Sequence, residues 1–226
     1  MDSDELIRLE ERLGRLHARQ RLGVERDHEA QVFGQGLNFF HIENSRLSAF
    51  LIEYGLKAAG LYWRGRKNAE RVVVRRNRFA CAALPAAFDG FVILHLSDLH
   101  YDMSERAMRR VAELLGTLSY DLCVMTGDFR GPTFGPFERA IAGVGELRAK
   151  LKGQVLAVLG NHDSARMVPG IEALDIKVLV NECVAIERGG DKIHVAGVDD
   201  PHFYRADNIE KASAAIPLEA YSILLT

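Results

Sequence analysis

Three apolar stretches of this chain each break off into a polar cluster, and that arrangement limits the fold more than any other feature. Residues 91–96 run into Ser97-Asp98-Leu99-His100, residues 122–125 into Thr126-Gly127-Asp128, and residues 155–159 into Gly160-Asn161-His162-Asp163. Each stretch has the length and character of a buried strand. Helical patterns lie between them. Ser104 is placed as the N-cap of a helix reaching about Leu118, with Met108, Val111, Leu115 and Leu118 inward, and a second helix spans residues 137–150. Strand, helix, strand at this spacing predicts an α/β domain with right-handed crossovers, in which ligands gather outside the carboxyl ends of the strands. All three clusters then meet at one sheet edge. Beyond Ile176 the apolar segments shorten to residues 177–180, 184–186 and 193–195, which predicts a meander.

The first 80 residues are built differently. They carry 15 basic and 11 acidic side chains against 14 and 20 in the remainder, an asymmetry hidden by the net charge of -2. Any attraction to nucleic acid or an anionic membrane must therefore be local. Leu6, Leu9, Leu13 and Leu16 predict an amphipathic helix over residues 2–22, with Glu11 one turn from Arg15. The heptad fails at Gln20 and Gly23, which points to half of a helical hairpin rather than a coiled coil. Gly34, Gly36 and Asn38 read as a turn, and a second helix runs from an Asn44/Ser45 cap to about Leu61, with Leu47, Phe50, Leu51, Tyr54, Ala58 and Leu61 on one face. The valine- and arginine-rich residues 71–79 read as a strand. A helical extension over 1–68 followed by an α/β domain over 69–226 is the expected organisation.

An apolar content of 48% excludes wholesale disorder. Cys81, Cys123 and Cys183 are odd in number and widely spaced, so they form neither a disulfide framework nor a CxxC metal site, and a reducing compartment is expected. The acidic amino terminus lacks the order of a secretory signal, and there is no run of 18 apolar residues. The expected location is the cytoplasm, with the inner membrane surface as the peripheral option.

Asp98 and His100 stand two apart, so an extended backbone turns both toward one face, where they can hold one ion. Carboxylate, imidazole and amide oxygen suit Mn, Fe or Zn better than thiolate-preferring metals. A single Gly-Asp or Gly-Asn after a strand is ordinarily a turn. Three clusters in order, with 30 residues from Asp98 to Asp128 and 33 from Asp128 to Asn161, make that reading inadequate.

Over residues 69–226 the chain resembles the calcineurin-like metallophosphoesterases, whose pattern is D-x-H, then G-D, then G-N-H-D/E, each after a strand. The resemblance implies an αββα sandwich of that type. It implies that Asp98 and His100 bind a first metal, Asp128 bridges two, Asn161 binds the second, and His162 is the catalytic histidine. Two divalent cations would clamp the phosphoryl oxygens and activate a hydroxide. Asp163 can orient His162 or cap a helix over residues 164–173, and both readings stay open. The loop of residues 197–204 resembles the family's G-V-D-D-P stretch, which puts Asp199, Asp200 and His202 beside the pocket, behind the ligands or against substrate. His194 reads as a strand residue, His95 as packed, and His17, His28 and His41 as solvated. The family pattern continues with a histidine after a late strand and then G-H-x-H. Neither occurs in these 226 residues, and residues 221–226 resemble the strand before the first of them, so a domain incomplete at its C-terminus is expected.

The resulting expectation is a two-metal phosphoester hydrolase acting on a phosphomonoester, phosphodiester or pyrophosphate, of the bacterial single-domain branch. A phosphorylated small molecule or a lipid-linked phosphate is the expected substrate. The alternative is a catalytically impaired scaffold of the same fold. Lys57, Arg64, Arg66, Lys67, Arg71, Arg75, Arg76 and Arg78, opposed by Glu70 alone, adjoin Tyr62 and Trp63. This stretch can seat the protein on an anionic membrane, although a solvated helix end and a charged edge strand is the favoured reading. Without a wider basic and aromatic groove, nucleic acid is disfavoured.

Overall fold

The computed structural model describes residues 3–34 and 46–226. Helices α1 (Ser3–Leu13) and α2 (Arg15–Gly34) open the chain, followed by α3 (Arg46–Ala58) and α4 (Tyr62–Ala69). The single helix expected over residues 2–22 is interrupted at Gly14, whose φ of 85° is left-handed. The break redirects the leucine seam: Leu9 and Leu13 are buried, whereas Leu16 is 83% exposed and Ala18 takes its place inside. The turn expected at residues 34–38, the Asn44/Ser45 cap and His41 involve positions outside the described residues.

The parallel sheet has four strands in the order β1 (Ile93–Leu96), β2 (Leu122–Thr126), β3 (Val155–Val158), β4 (Lys177–Val178). Helices α5 (Glu105–Leu115), α6 (Glu138–Arg148) and α7 (Val168–Glu172) make the crossovers. Ser104 caps α5, its side chain accepting from the Ala107 N–H, and Met108, Val111 and Leu115 point inward. Both faces of the central strands β2 and β3 are covered, which is why they read as continuous apolar runs. Cys123, Met125, Val155 and Ala157 face the helices, while Leu122, Val124, Leu156 and Val158 face a second sheet. Burial pushes the Cys123 thiol up to about 12, so it behaves as a small apolar side chain.

In the second sheet β5 (Glu182–Arg188) and β6 (Asp191–Gly197) form an antiparallel hairpin, and β7 (Ser222–Leu225) lies parallel to β6. The short helix α8 (Ile209–Ser213) covers its outer side, with Ala212 packed by Ala196 and Val198. Helices, sheet, sheet and a minor helical layer make the αββα arrangement. The expected meander is corrected: β4 joins the parallel sheet, because Ile176, Val178, Leu179 and Val180 are all buried and require a covered position.

Residues 71–79 form no strand. Their apolar members Val72, Val73 and Val74 are consecutive rather than alternating, so no single face gathers them, and Val73 and Phe79 stay exposed. Helices α1 and α2 sit on the helical side, where Leu9, Leu13 and Ala18 enter the same core as Ile171 and Val178. Arg12 fixes this docking: its guanidinium donates to Glu172 of α7 at 2.7 Å, to Glu182 of β5 at 2.5 Å and to the Val178 carbonyl at 2.8 Å. No helix among the described residues is long and apolar enough to cross a membrane.

Candidate metal centre

The carboxyl ends of β1, β2 and β3 deliver the three polar clusters side by side. Ligand atoms of Asp98, His100 and Asp128 lie within 4.8 Å of one another. The route differs from the extended backbone expected for Asp98-Leu99-His100. Asp98, His100 and Asp128 have φ values of 52°, 38° and 54°, the left-handed region that costs a side-chain-bearing residue energy and recurs at functional sites. Leu99 is buried, as the sequence reading required. The bent backbone is held in place: the His100 N–H donates to the Asp128 carbonyl at 2.9 Å and the Tyr101 N–H to the Phe129 carbonyl at 2.9 Å.

Two glycines allow the second and third clusters to touch. A Cβ on Gly127 would lie 2.2 Å from the Gly160 nitrogen, and one on Gly160 would lie 2.2 Å from Asp128 Oδ1. With neither present, the Gly160-Asn161-His162 turn closes over the Asp128 carboxylate, which accepts the His162 N–H at 3.0 Å. Asn161, half-buried, stands in this same turn.

The histidines are oriented by carbonyls, which accept hydrogen bonds and cannot donate them. His100 Nδ1 donates to the Arg130 carbonyl at 2.7 Å, so in the neutral ring the lone pair is on the other nitrogen, which lies on the side of Asp128, 4.0 Å from Oδ2. This is the state a metal-ligating histidine needs. Two carboxylates and one such imidazole converging within one ion's reach fit a hard divalent cation. His162 Nδ1 donates to the Gly131 carbonyl, and the two imidazole rings stand edge to face with centroids 4.9 Å apart.

Asp163 does not cap the helix that follows it. Its fully buried carboxylate accepts the Phe129 N–H at 2.9 Å and the Gly160 N–H at 2.9 Å, joining the second cluster to the third. Burial pushes this carboxyl up to about 6, against the Gly160, Phe129 and Asp128 amides that favour its charged form. The cap belongs to Ser164, which accepts the Arg166 N–H at the start of a 3-10 turn (Ala165–Met167).

Asp199 and Asp200 also turn inward. Asp199 bonds His17 Nε2 at 2.9 Å and Arg21 Nε at 3.2 Å, while Asp200 accepts the N–H groups of Phe203, at 2.7 Å, and Tyr204. These carboxylates are engaged by the protein's own groups instead of facing a substrate, and only His202 of the three is exposed. His17, expected to be solvated, is a hydrogen-bond partner of a buried acid, and His28 packs against the Phe203 and Tyr204 rings. His95 is exposed on β1 and pairs with Thr126 Oγ1 at 2.7 Å rather than being packed. His194 lies on β6 opposite Ala185.

Two arginines behind the site escaped the sequence reading. Arg130 is buried and donates to the carbonyls of His162 at 2.5 Å, Gly135 at 2.7 Å and Thr133. Burial lowers its pKa. Arg21 of α2, 0% exposed, donates to the Asp163 carbonyl at 3.1 Å, to Glu25 at 2.7 Å and to Asp199, with its guanidinium 3.4 Å from the centre of the Tyr204 ring. Glu25 also accepts Ser164 Oγ at 2.6 Å and the Ala165 N–H at 2.8 Å. The extension thus braces the turn that carries Asn161 and His162. The sequence signal was faint: Arg21 and Glu25 stand one helical turn apart, as any surface pair does.

The family model for the calcineurin-like phosphoesterase matches residues 91–213. A transmembrane protein with metallophosphoesterase domain from Bos taurus is 30% identical over 130 residues, covering 52% of this chain. The match spans 29% of that longer protein. The family match takes in more than half of the chain and all three clusters at the ends of β1, β2 and β3, and on that ground the chain belongs to the calcineurin-like phosphoesterase family.

Proposed function

We propose that the chain is a two-metal phosphoester hydrolase acting on a phosphomonoester, phosphodiester or pyrophosphate. The observation that carries this reading is the convergence of Asp98, His100 and Asp128 at the strand ends, with the His162 ring against His100. Asp98, His100 and Asp128 would hold one cation, and Asp128 with Asn161 would contribute to a second. When bound, divalent cations supply charge to the phosphoryl oxygens and lower the pKa of water to near neutrality.

The remaining work falls to side chains. The Gly131 carbonyl fixes His162 through Nδ1, which leaves Nε2 as the atom that, in the protonated ring, gives a proton to the departing oxygen. Asp163 and Arg130 keep the two turns at fixed separation, so the reacting groups need little rearrangement when substrate arrives. Arg21 and Glu25 hold the outer side of the same turn.

The test is hydrolysis of p-nitrophenyl phosphate, its bis-ester and an alkyl pyrophosphate by the purified chain, with Mn, Fe and Zn each added after chelation. Turnover that needs a cation and disappears in Asp128→Asn supports the reading. Binding of the cations without turnover of any probe would leave a metal-holding scaffold and overturn it.

A further inference from the structure

We propose that α3 and α4 form an arm that docks the protein on an anionic lipid surface. The sequence reading favoured a solvated helix end and a charged edge strand, and the strand is not formed. What the structure presents is an exposed apolar helix. From Phe50 to Leu56, α3 exposes Phe50 (52%), Leu51 (61%), Ile52 (52%) and Tyr54 (53%), and Trp63 of α4 is 73% exposed. Phe50, Leu51 and Tyr54 share one face of α3, the apolar face that an interfacial helix turns toward acyl chains. Among the described residues, nothing covers them.

The charges beside this surface identify the cover. Glu53, the one acid of α3, is neutralised by Lys57 at 2.7 Å. The Lys57 ammonium lies 5.1 Å from the centre of the Tyr54 ring and 5.0 Å from that of Tyr62. Beyond them Arg64, Arg66 and Lys67 follow within one helix, and Arg71, Arg75, Arg76 and Arg78 continue the cationic run. Aliphatic side chains at the tip, aromatic rings with polar edges next, and long cationic side chains behind is the order in which an interfacial helix meets acyl chains, ester groups and anionic headgroups.

The arm also reaches the loop that carries the metal centre. Trp63, Arg66, Lys67 and Glu70 line a cleft of about 730 Å³ together with Asp102 and Met103, two and three residues after His100. Docking by α3 and α4 therefore brings the bilayer surface to the vicinity of the catalytic turn.

Trp63 is the chain's single tryptophan, so its fluorescence reports on the arm alone. The full chain is mixed with vesicles of phosphatidylcholine and with vesicles containing phosphatidylglycerol, and emission is recorded beside co-sedimentation. The expected result is a blue shift and sedimentation with the anionic vesicles only, both reversed by high salt. Arg64→Gln with Lys67→Gln should weaken partitioning about 25-fold, roughly fivefold for each cation. Phe50→Ser with Leu51→Ser should weaken it at unchanged charge, and cation-dependent hydrolysis of a soluble ester should stay unaltered in both variants. Absence of binding to either vesicle overturns the proposal, as does equal, salt-independent binding to both. Blue emission without lipid that grows with protein concentration would also overturn it, showing that a second copy covers the arm.

Discussion

Replacing Arg21 with methionine should destabilise the protein by about 3–5 kcal/mol, the cost of breaking a buried ion pair from one side. Methionine keeps the apolar stem and deletes the charge. Three partners then lose a donor: the Asp199 carboxylate, 0% exposed, the Asp163 carbonyl, and Glu25, which still holds Ser164 and the Ala165 N–H. For a chain of this size that loss lowers the melting temperature by about 6–20 °C. The pH dependence carries a second signature. Burial raises the Asp199 pKa, the His17 hydrogen bond and the Arg21 charge lower it more, and the net direction is down. A depressed folded pKa means that the carboxylate stabilises the protein above its unfolded value of roughly 4 and that this contribution is lost as pH falls toward the folded value. Without Arg21 burial gains weight, the folded pKa rises, and acid unfolding should begin at higher pH. Thermal melts from about pH 2 to pH 8, read by circular dichroism, measure both effects. Asp199→Asn added to Arg21→Met should recover about 1 kcal/mol or more relative to additivity. A variant melting within about 0.5 kcal/mol of the parent, with an unchanged acid limb, would refute the claim that α2 braces the site.

Three further outcomes follow from the same geometry. Asp98→Ala and Asp128→Ala should each reduce cation-dependent hydrolysis by roughly a thousandfold or more, measured with a nitrophenyl ester under saturating metal. Gly160→Ala places a Cβ against Asp128 Oδ1, so metal retention after dialysis should fall sharply, whereas Gly65→Ala in α4 meets no neighbour within 4 Å and should leave retention unchanged. Asp163→Asn keeps one acceptor but turns an amide NH2 toward either Phe129 N–H or Gly160 N–H, which should cost about 1–3 kcal/mol in urea unfolding.

The parallel sheet and its crossover helices were legible because the apolar runs at residues 122–125 and 155–159 are buried on both faces, that at residues 91–96 is partly so, and all three end in polar turns that no core can accept. Sequence order alone carried Asp98, Asp128 and His162 to one edge. How Asp98 and His100 reach a common point was not legible, since the two-residue periodicity of a strand holds only while the backbone stays extended, and here it leaves that region at both residues. Residues 71–79 had the composition of a strand without the alternation that would bury one face. Arg21 was invisible for a different reason. A cation on an exposed-looking helix becomes a buried brace only through docking against residues more than 140 positions away, and neither charge pairing within α2 nor its hydrophobic pattern encodes that contact. Asp163 and Asp199 were read by their place beside a motif, but their roles depend on which backbone amides and cations the closed turns bring to them.

If Asp98, His100 and Asp128 form a divalent-metal centre at the ends of β1 and β2, the chain retains metal through them. Metal content of the full chain after equilibration with manganese and exhaustive dialysis, compared with His100→Ala and Asp128→Ala that retain the parent's circular dichroism, tests it most directly. The parent should hold at least one ion tightly per chain, and either variant none. A parent that retains no manganese, iron or zinc, or variants that retain as much as the parent, would contradict it.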